Sequence, residues 1–271
     1  MGWSTHHPVG LIHYSPQHSY RGYTLFATHR GSYHANLIDM EGRVCHRWHS
    51  TEGIGYCYLL PNGNLLLRAS PPPDGGPVAS GDGAYEALLE LDWESNVVWE
   101  YRDPMLHHDF ERLPNGNTLL LLWEQLPEDL AGQVQGGYPH EDEGQKMYGD
   151  LVQEITPNGL VVYQWKSWEY LGTPNISFYS YHISSAERQP NGNTVICEGA
   201  PGRIFEVTPD QNIVWEYINP FFGQVGAGRA AESINSVFRA HRYGPDHPGL
   251  QGKDLDPARF ANLNRLYSSQ S

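Results

Sequence analysis

The chain has 271 residues, 18% charged and 39% hydrophobic, with a formal net charge of −14 from 17 Lys+Arg against 31 Asp+Glu. That length is ample for a packed core, and an acidic chain without any basic block excludes a nucleic-acid binder. No run approaches the roughly 20 apolar residues of a membrane-spanning helix, and the N-terminus lacks the basic and apolar regions of a secretory signal, so a soluble cytoplasmic protein is expected.

Gly 29, Pro 20 and 12% aromatics predict short strands joined by turns rather than helices. In chain order, the first elements are three strands: "YTLFATHR" at 23–30, "HANLID" at 34–39 and "RVCHRW" at 43–48. Next comes "GIGYCYLL" at 53–60, then "PNGN" at 61–64 and the apolar run "LLLR". Asn-Gly between two strand-like runs is the strongest short hairpin signal, because both turn positions tolerate positive φ. "LLELDWESNVVWEY" at 88–101 then reads as strand, turn and strand.

The same sequence of elements returns twice. "HHDFERL" precedes PNGN at 114–117, followed by "TLLLLWE" and "VQEITPNGLVVYQW"; "YHISSAERQ" precedes PNGN at 190–193, followed by "TVICE" and "IFEVTPDQNIVWEY". Measured between the starts of VCHRW, VVWEY, VVYQW and IVWEY, the spacings are 53, 64 and 52 residues. Repeats of this size built from four strands are propeller blades. The N-terminal repeat has three strands, and "INSVFRAHRY" at 234–243 is a strand without a blade, so the two ends are expected to pair and close the ring. The expectation is an all-β, single-domain β-propeller over 1–271. Its four-stranded antiparallel blades lie at about 20–50, 54–102, 107–167 and 181–220, with the closing strand at about 234–243. The count is four blades, or five if 1–20 and 221–271 hold further strands. Two segments break the period, 124–148 and 168–180, and both are long enough to be functional loops.

Three cysteines, Cys45, Cys57 and Cys197, are widely spaced and lack any CxxC, which predicts buried free thiols. Trp99, Tyr163 and Trp215 share one repeat position, with His46 in the fourth repeat, and are expected to pack between blades.

If the strand before each PNGN is innermost, the propeller axis receives side chains from 53–60, 107–113, 181–189 and 236–243. Three of these four segments carry histidine and three carry arginine. Such a ring suits an anion: His and Arg donors hold a sulfate, phosphate or carboxylate, and a neutral imidazole attacks or accepts a proton. Converging imidazoles also suit a divalent metal ion, for which His108, His182 and His241 are the candidates.

"GYTLFATHRGSYHANLIDMEGRVCHRWHS", "LLPNGNLLL", "HHDFERLPNGNTLLLLWE" and the "GGY…KMYGDLVQEITPNGLVVYQW" region resemble the arylsulfate sulfotransferase-like propellers, over most of 20–220. The resemblance implies a funnel on the propeller axis. It also implies transfer of a sulfuryl group from a phenolic sulfate ester to a phenol through a histidine nucleophile, without a nucleotide or other cofactor. By position it makes His182, His107, His108 and Arg203 the catalytic candidates, with Ser184 standing where the family has an asparagine. The family's nucleophilic histidine falls near Asn235 and Ser236, neither of them histidine. Tyr58, Arg239 and His241 join Ser184 as candidate substrate-binding residues. The expected partner is a small anionic or aromatic substrate. The alternatives are a metal-dependent propeller lyase or oxygenase and a non-catalytic binding propeller.

Overall fold

The computed structural model describes residues 9–28, 32–69, 85, 87–131, 148–166, 184–199, 202–210, 212–225 and 232–267. The strands fall at the repeats. They are β1 (Gly10–Tyr14), β2 (Tyr23–Thr28), β3 (His34–Ile38), β4 (Val44–His49), β5 (Tyr56–Leu59), β6 (Leu65–Arg68), β7 (Ala87–Leu91) and β8 (Val97–Arg102). After β9 (Leu106–Arg112) and β10 (Thr118–Gln125) come the one-turn helix α1 (Glu128–Ala131), β11 (Tyr148–Ile155) and β12 (Val161–Lys166). The last repeat holds β13 (Ser184–Arg188), β14 (Thr194–Glu198), β15 (Arg203–Val207) and β16 (Ile213–Ile218). β17 (Gly223–Val225), β18 (Glu232–Ile234), β19 (Val237–Tyr243) and the helix α2 (Ala261–Tyr267) complete the described chain.

Two compact units are present: Met1–Pro73 with Leu88–Glu100 and Ser180–Ser271, and Asp74–Ala87 with Tyr101–Tyr179. The first unit contains three blade-like sheets, ordered β19-β2-β3-β4, β5-β6-β7-β8 and β1-β16-β15-β14-β13, and the second contains β12-β11-β10-β9. The ends of the chain meet in one sheet, where β19 runs antiparallel to β2 with Val237 opposite Thr28 and Tyr243 opposite Tyr23. No fifth blade forms among the described residues. β1 instead adds to β16 as a fifth strand, and β17 and β18 make a two-stranded ribbon. Residues 132–147 and 167–183, which include most of the two segments expected to be functional loops, lie outside the described residues.

PNGN folds differently from the two-residue turn its Asn-Gly predicts. Gly63, Gly116 and Gly192 have φ of 87°, 86° and 87°, while no Asn of the motif is left-handed. Proline holds the first turn position near −65°, so the chain makes an ordinary turn and only the glycine after it is left-handed. The glycine N–H donates to the carbonyl of the residue before proline, at 2.9 Å in all three copies. The second Asn then reaches across the blade. Asn64 donates to Glu90 at 2.7 Å, Asn117 to Glu154 at 2.6 Å and Asn193 to Glu206 at 2.6 Å. The repeat is thus a repeated hydrogen-bond clasp between the turn and the third strand.

The first unit's core includes Phe26, Ile38, Ile204, Trp215, Tyr217 and Val237. Within it lies an ion pair with neither side chain exposed: Arg242 Nη1 stands 3.2 Å from Glu206 Oε2. Glu206 Oε1 also accepts from the Tyr20 backbone at 2.7 Å, and Arg242 donates through Nε to Thr24 Oγ1 at 2.6 Å. β19, β15 and the segment before β2 are thereby tied together. The edge of β4 is closed by the side-chain amide of Asn264, which accepts from Val44 N–H at 2.7 Å and donates to Val44 C=O at 3.2 Å. Cys45, Cys57 and Cys197 are buried free thiols, as their spacing predicts, and burial pushes the Cys45 thiol up to about 12. No helix among the described residues is long and apolar enough to cross a membrane.

The shared aromatic position does not share one environment. Trp215 is fully buried and His46 nearly so, but Tyr163 is half exposed, which corrects the expected packing role for that residue. The difference is local: β1 pairs with β16 and the turn at Pro257–Phe260 packs on β4, while Val161 and Val162 beside Tyr163 are exposed as well.

Candidate active site

In the first unit β19 packs against both β13 and β5, each the strand that precedes a turn in its repeat. Side chains on these three strands meet. The imidazole of His241 lies between a carboxylate and a phenol, with Nδ1 3.0 Å from Glu187 Oε2 and Nε2 3.3 Å from the Tyr56 hydroxyl. A carboxylate can only accept, so the imidazole proton belongs on Nδ1 and Nε2 is left to accept from Tyr56. Glu187 is itself steadied by Gln189, whose Nε2 donates to Oε1 at 3.3 Å.

Aromatic rings and two guanidinium groups surround this chain. Tyr58 presents its ring 6.5 Å from that of His241 and 6.2 Å from that of Tyr56. The Arg239 guanidinium lies over the Tyr56 ring at 5.2 Å, and the buried Arg68 lies over Phe238 at 4.3 Å. Tyr243 completes the lining; its hydroxyl accepts from Leu59 N–H at 3.0 Å, and burial pushes its ionisation well above the ordinary phenol value. The His241 side chain is 24% exposed and that of Glu187 37%, while Tyr56 is buried beneath them.

Tyr58, Arg239 and His241, named from the sequence, are therefore brought together. Glu187 and Tyr56 were missed. Tyr56 lies two residues from Tyr58 on the same strand, and period-two alternation places such a pair on one face. Glu187 occupies the third position before a PNGN proline, as Tyr58 does in its own repeat.

The remaining candidates are placed elsewhere. Arg203 begins β15, where Nε donates to Glu216 Oε1 at 2.5 Å and the guanidinium covers Phe205 at 4.2 Å. Asn235 and Ser236, where the resemblance puts the nucleophile, are buried; Asn235 exchanges amide bonds of 2.9 Å with Asn219. Ser184 opens β13, and His182 lies outside the described residues. Among the described residues no three His, Cys, Asp or Glu side chains gather as metal ligands.

His107 and His108 belong to the other unit. His107 is buried and stacked on Trp123 at 4.5 Å, and its Nδ1 is 3.0 Å from Nδ1 of His108. Burial, reinforced by His108, holds the His107 imidazole down at about 4. A cavity of about 260 Å³ in the first unit, lined by Tyr14, Arg21, Tyr23, Asp39 and Arg43 among others, includes none of the candidates. Arg43 is engaged there by Asp39 at 2.7 Å and Glu41 at 3.2 Å, so its charges are paired within its own wall.

No family model and no curated protein matches the chain. Among solved structures it is similar to a protein of unknown function from Bacteroides caccae, at 12% identity and a TM-score of 0.29, over 82% of this chain and 98% of that one. It is similar at 12% identity to a streptogramin B lyase, with a TM-score of 0.28 over 88% of this chain and 82% of the other. A virginiamycin B lyase from Staphylococcus aureus matches at 12% identity and a TM-score of 0.28, over 88% and 84% of the two chains. Similarity at this level carries no functional argument, and the sulfotransferase resemblance has no counterpart among these matches.

Proposed function

We propose that the protein is an enzyme acting on a small aromatic anion, with Tyr56, His241 and Glu187 as its acid–base machinery. One observation carries this reading: the carboxylate–imidazole–phenol chain that spans three strands of the first unit. Glu187 orients the ring, His241 Nε2 receives the Tyr56 proton, and the Tyr56 oxygen becomes a nucleophile or base. Returning the proton along the same path protonates a departing phenolate. Arg239 supplies positive charge beside Tyr56, and Tyr58 offers an aromatic face to a substrate ring. Sulfuryl transfer between phenols, or cleavage of an aryl sulfate, is the specific form supported by the sequence resemblance. In that form the Tyr56 oxygen takes the sulfuryl group as the phenol leaves, and an acceptor phenol or water removes it.

The test is turnover of 4-nitrophenyl sulfate with and without a phenol acceptor, for wild type, Tyr56→Phe, His241→Ala and Glu187→Gln. Loss of roughly 10²-fold or more in Tyr56→Phe and His241→Ala supports the reading. Full activity in Tyr56→Phe, or a wild type inert toward aryl sulfates, phosphates and carboxylate esters alike, overturns it. Repeating the assay in EDTA tests the expectation that no metal is required.

A further inference from the structure

One end of the sheet β19-β2-β3-β4 gathers basic groups in a chain whose net charge is −14. β3 and β4 pair with His34 opposite His49 and Asn36 opposite Arg47. Side chains two apart on a strand, and those directly opposite on its partner, share one face. The two imidazoles have ring centres 4.8 Å apart, and the Arg47 guanidinium lies 5.5 Å from the centre of the Phe221 ring. Burial, then Arg47 and His49, hold the His34 imidazole down at about 4, and no carboxylate is among the groups acting on it. Asn36 is fully buried, and neither its Oδ1 nor its Nδ2 has a hydrogen-bond partner among the described residues. A buried amide ordinarily has one, so a partner is missing on this face. The surrounding backbone is fixed: Ser50 N–H donates to Tyr33 C=O at 2.9 Å and Ile54 N–H to Ser32 C=O at 2.8 Å. The cluster reaches the surface, since His49 is exposed and Tyr33, with its ring 6.4 Å from that of His49, is 53% exposed.

We propose that this face binds a small tetrahedral oxyanion, sulfate or phosphate, held by Arg47 and the imidazoles of His34 and His49. Basic groups brought together repel when charged, and an anion among them turns that repulsion into attraction. A guanidinium presents a fork of N–H donors matched to two oxygens, and each imidazole adds a donor for another. Donors from three side chains exceed what the two oxygens of a carboxylate engage, which selects the tetrahedral ion. The charge of Arg47 persists whatever else its guanidinium touches. Behind these groups Asn36 Nδ2 supplies one more donor, directly or through a bound water. A bound anion offsets the effect of Arg47 and His49 on His34 and raises its proton affinity, so binding takes up protons. The site shares no residue with the Tyr56, His241 and Glu187 cluster and stands independently of that chemistry.

The test is calorimetric titration of the full chain with sodium sulfate at constant ionic strength. Sulfate binding should tighten as the pH falls from about 7.5 to about 5.5, and tighten less in His34→Gln. His34→Gln, His49→Gln and Arg47→Lys should each weaken it roughly tenfold. His49→Gln is the decisive variant, because an exposed side chain can be changed without unfolding the blade. Arg239→Ala, which removes the positive charge beside Tyr56, should leave binding at this face unchanged. Inorganic phosphate and phenyl phosphate are titrated in parallel: tighter binding of the first assigns the site to the free ion, and of the second to the terminal group of a larger molecule. Acetate should bind roughly tenfold more weakly than sulfate. Absence of sulfate binding, binding that persists in His49→Gln or is lost in Arg239→Ala, or equal affinity for acetate overturns the proposal.

Discussion

Removing Glu206 should unfold the first unit more readily than removing Glu154 unfolds the second, because Glu206 faces a buried cation. Its carboxylate is fully buried and accepts three bonds: from Tyr20 N–H at 2.7 Å, Asn193 Nδ2 at 2.6 Å and Arg242 Nη1 at 3.2 Å. Burial already holds the Arg242 guanidinium down at about 10, opposed chiefly by Glu206. In Glu206→Leu that guanidinium is left charged without its counterion, a change that costs about 3–5 kcal/mol. Glu154, the equivalent residue in the second unit, clasps Asn117 alone among the bonds described for it, and Glu154→Ala should cost about 1 kcal/mol. The double variant Glu206→Leu/Arg242→Met removes both charges and should recover part of the loss, since apolar replacements of a buried pair are often neutral. Urea denaturation followed by tryptophan fluorescence reads wild type, Glu206→Leu, Arg242→Met, the double variant and Glu154→Ala. A Glu206→Leu loss below about 1 kcal/mol, or single losses that simply add in the double variant, would refute the reasoning.

Further outcomes follow from individual residues. Trp215→Ala should cost about 3–5 kcal/mol, because Trp215 is fully buried, stacks on Tyr217 and donates to the Met40 carbonyl at 2.9 Å; Tyr163→Ala, at the same repeat position, should change stability by less than about 0.5 kcal/mol in the same denaturation assay. Gly116→Ala should cost roughly 1–2 kcal/mol from its left-handed backbone alone, and Gly63→Ala more, since an added Cβ would stand 2.9 Å from the Gly249 carbonyl oxygen; equal losses would argue against that contact. His46 and His107 are both held down at about 4 by burial, so between pH 6.5 and 4 the unfolded chain binds protons that the folded chain refuses. Stability is therefore greatest above pH 6.5 and falls toward pH 4 by up to about 3 kcal/mol per group, and His46→Phe should flatten that slope while keeping the stack on Trp93.

The blades were legible because their signals are local. A turn motif next to an apolar run specifies a hairpin wherever it occurs, and the repetition of PNGN placed the strands of all three copies. The pairing of β19 with β2 followed from a strand left without a blade, which is bookkeeping on the same pattern. The site was half legible. His241, Arg239 and Tyr58 stood out as charged or polar groups on strands expected to be inner. Tyr56 was hidden because an aromatic residue on a strand reads as core, and Glu187 because a strand carboxylate reads as solvent face. The meeting of His107 with His108 could not be read, since adjacent strand residues diverge unless a bulge intervenes, and that bulge depends on Trp123 and the register of β10.

β19 shows why equivalence between repeats says so little about chemistry. Its residues alternate between two jobs. Arg242 points into the core and is locked by Glu206, Thr24 and the Tyr20 carbonyl, while His241, one residue earlier, points to the opposite face and meets Tyr56 and Glu187. A strand residue cannot move without moving its neighbour, so the buried ion pair fixes where the imidazole stands. Neither residue belongs to the shared repeat pattern, because β19 completes the blade from the far end of the chain and carries no PNGN. The repeats supply the hairpin clasps, and a strand outside the repeat pattern carries the imidazole. For the same reason Glu206→Gln, which keeps the side chain's shape and the bond from Tyr20, should lower turnover at the His241 site without any contact to substrate. The loss should appear in kcat rather than KM, because an imidazole displaced from Tyr56 impairs proton transfer and leaves Tyr58 and Arg239 in place to bind. Unchanged kcat in a folded Glu206→Gln protein would show that β19 holds its register without the ion pair.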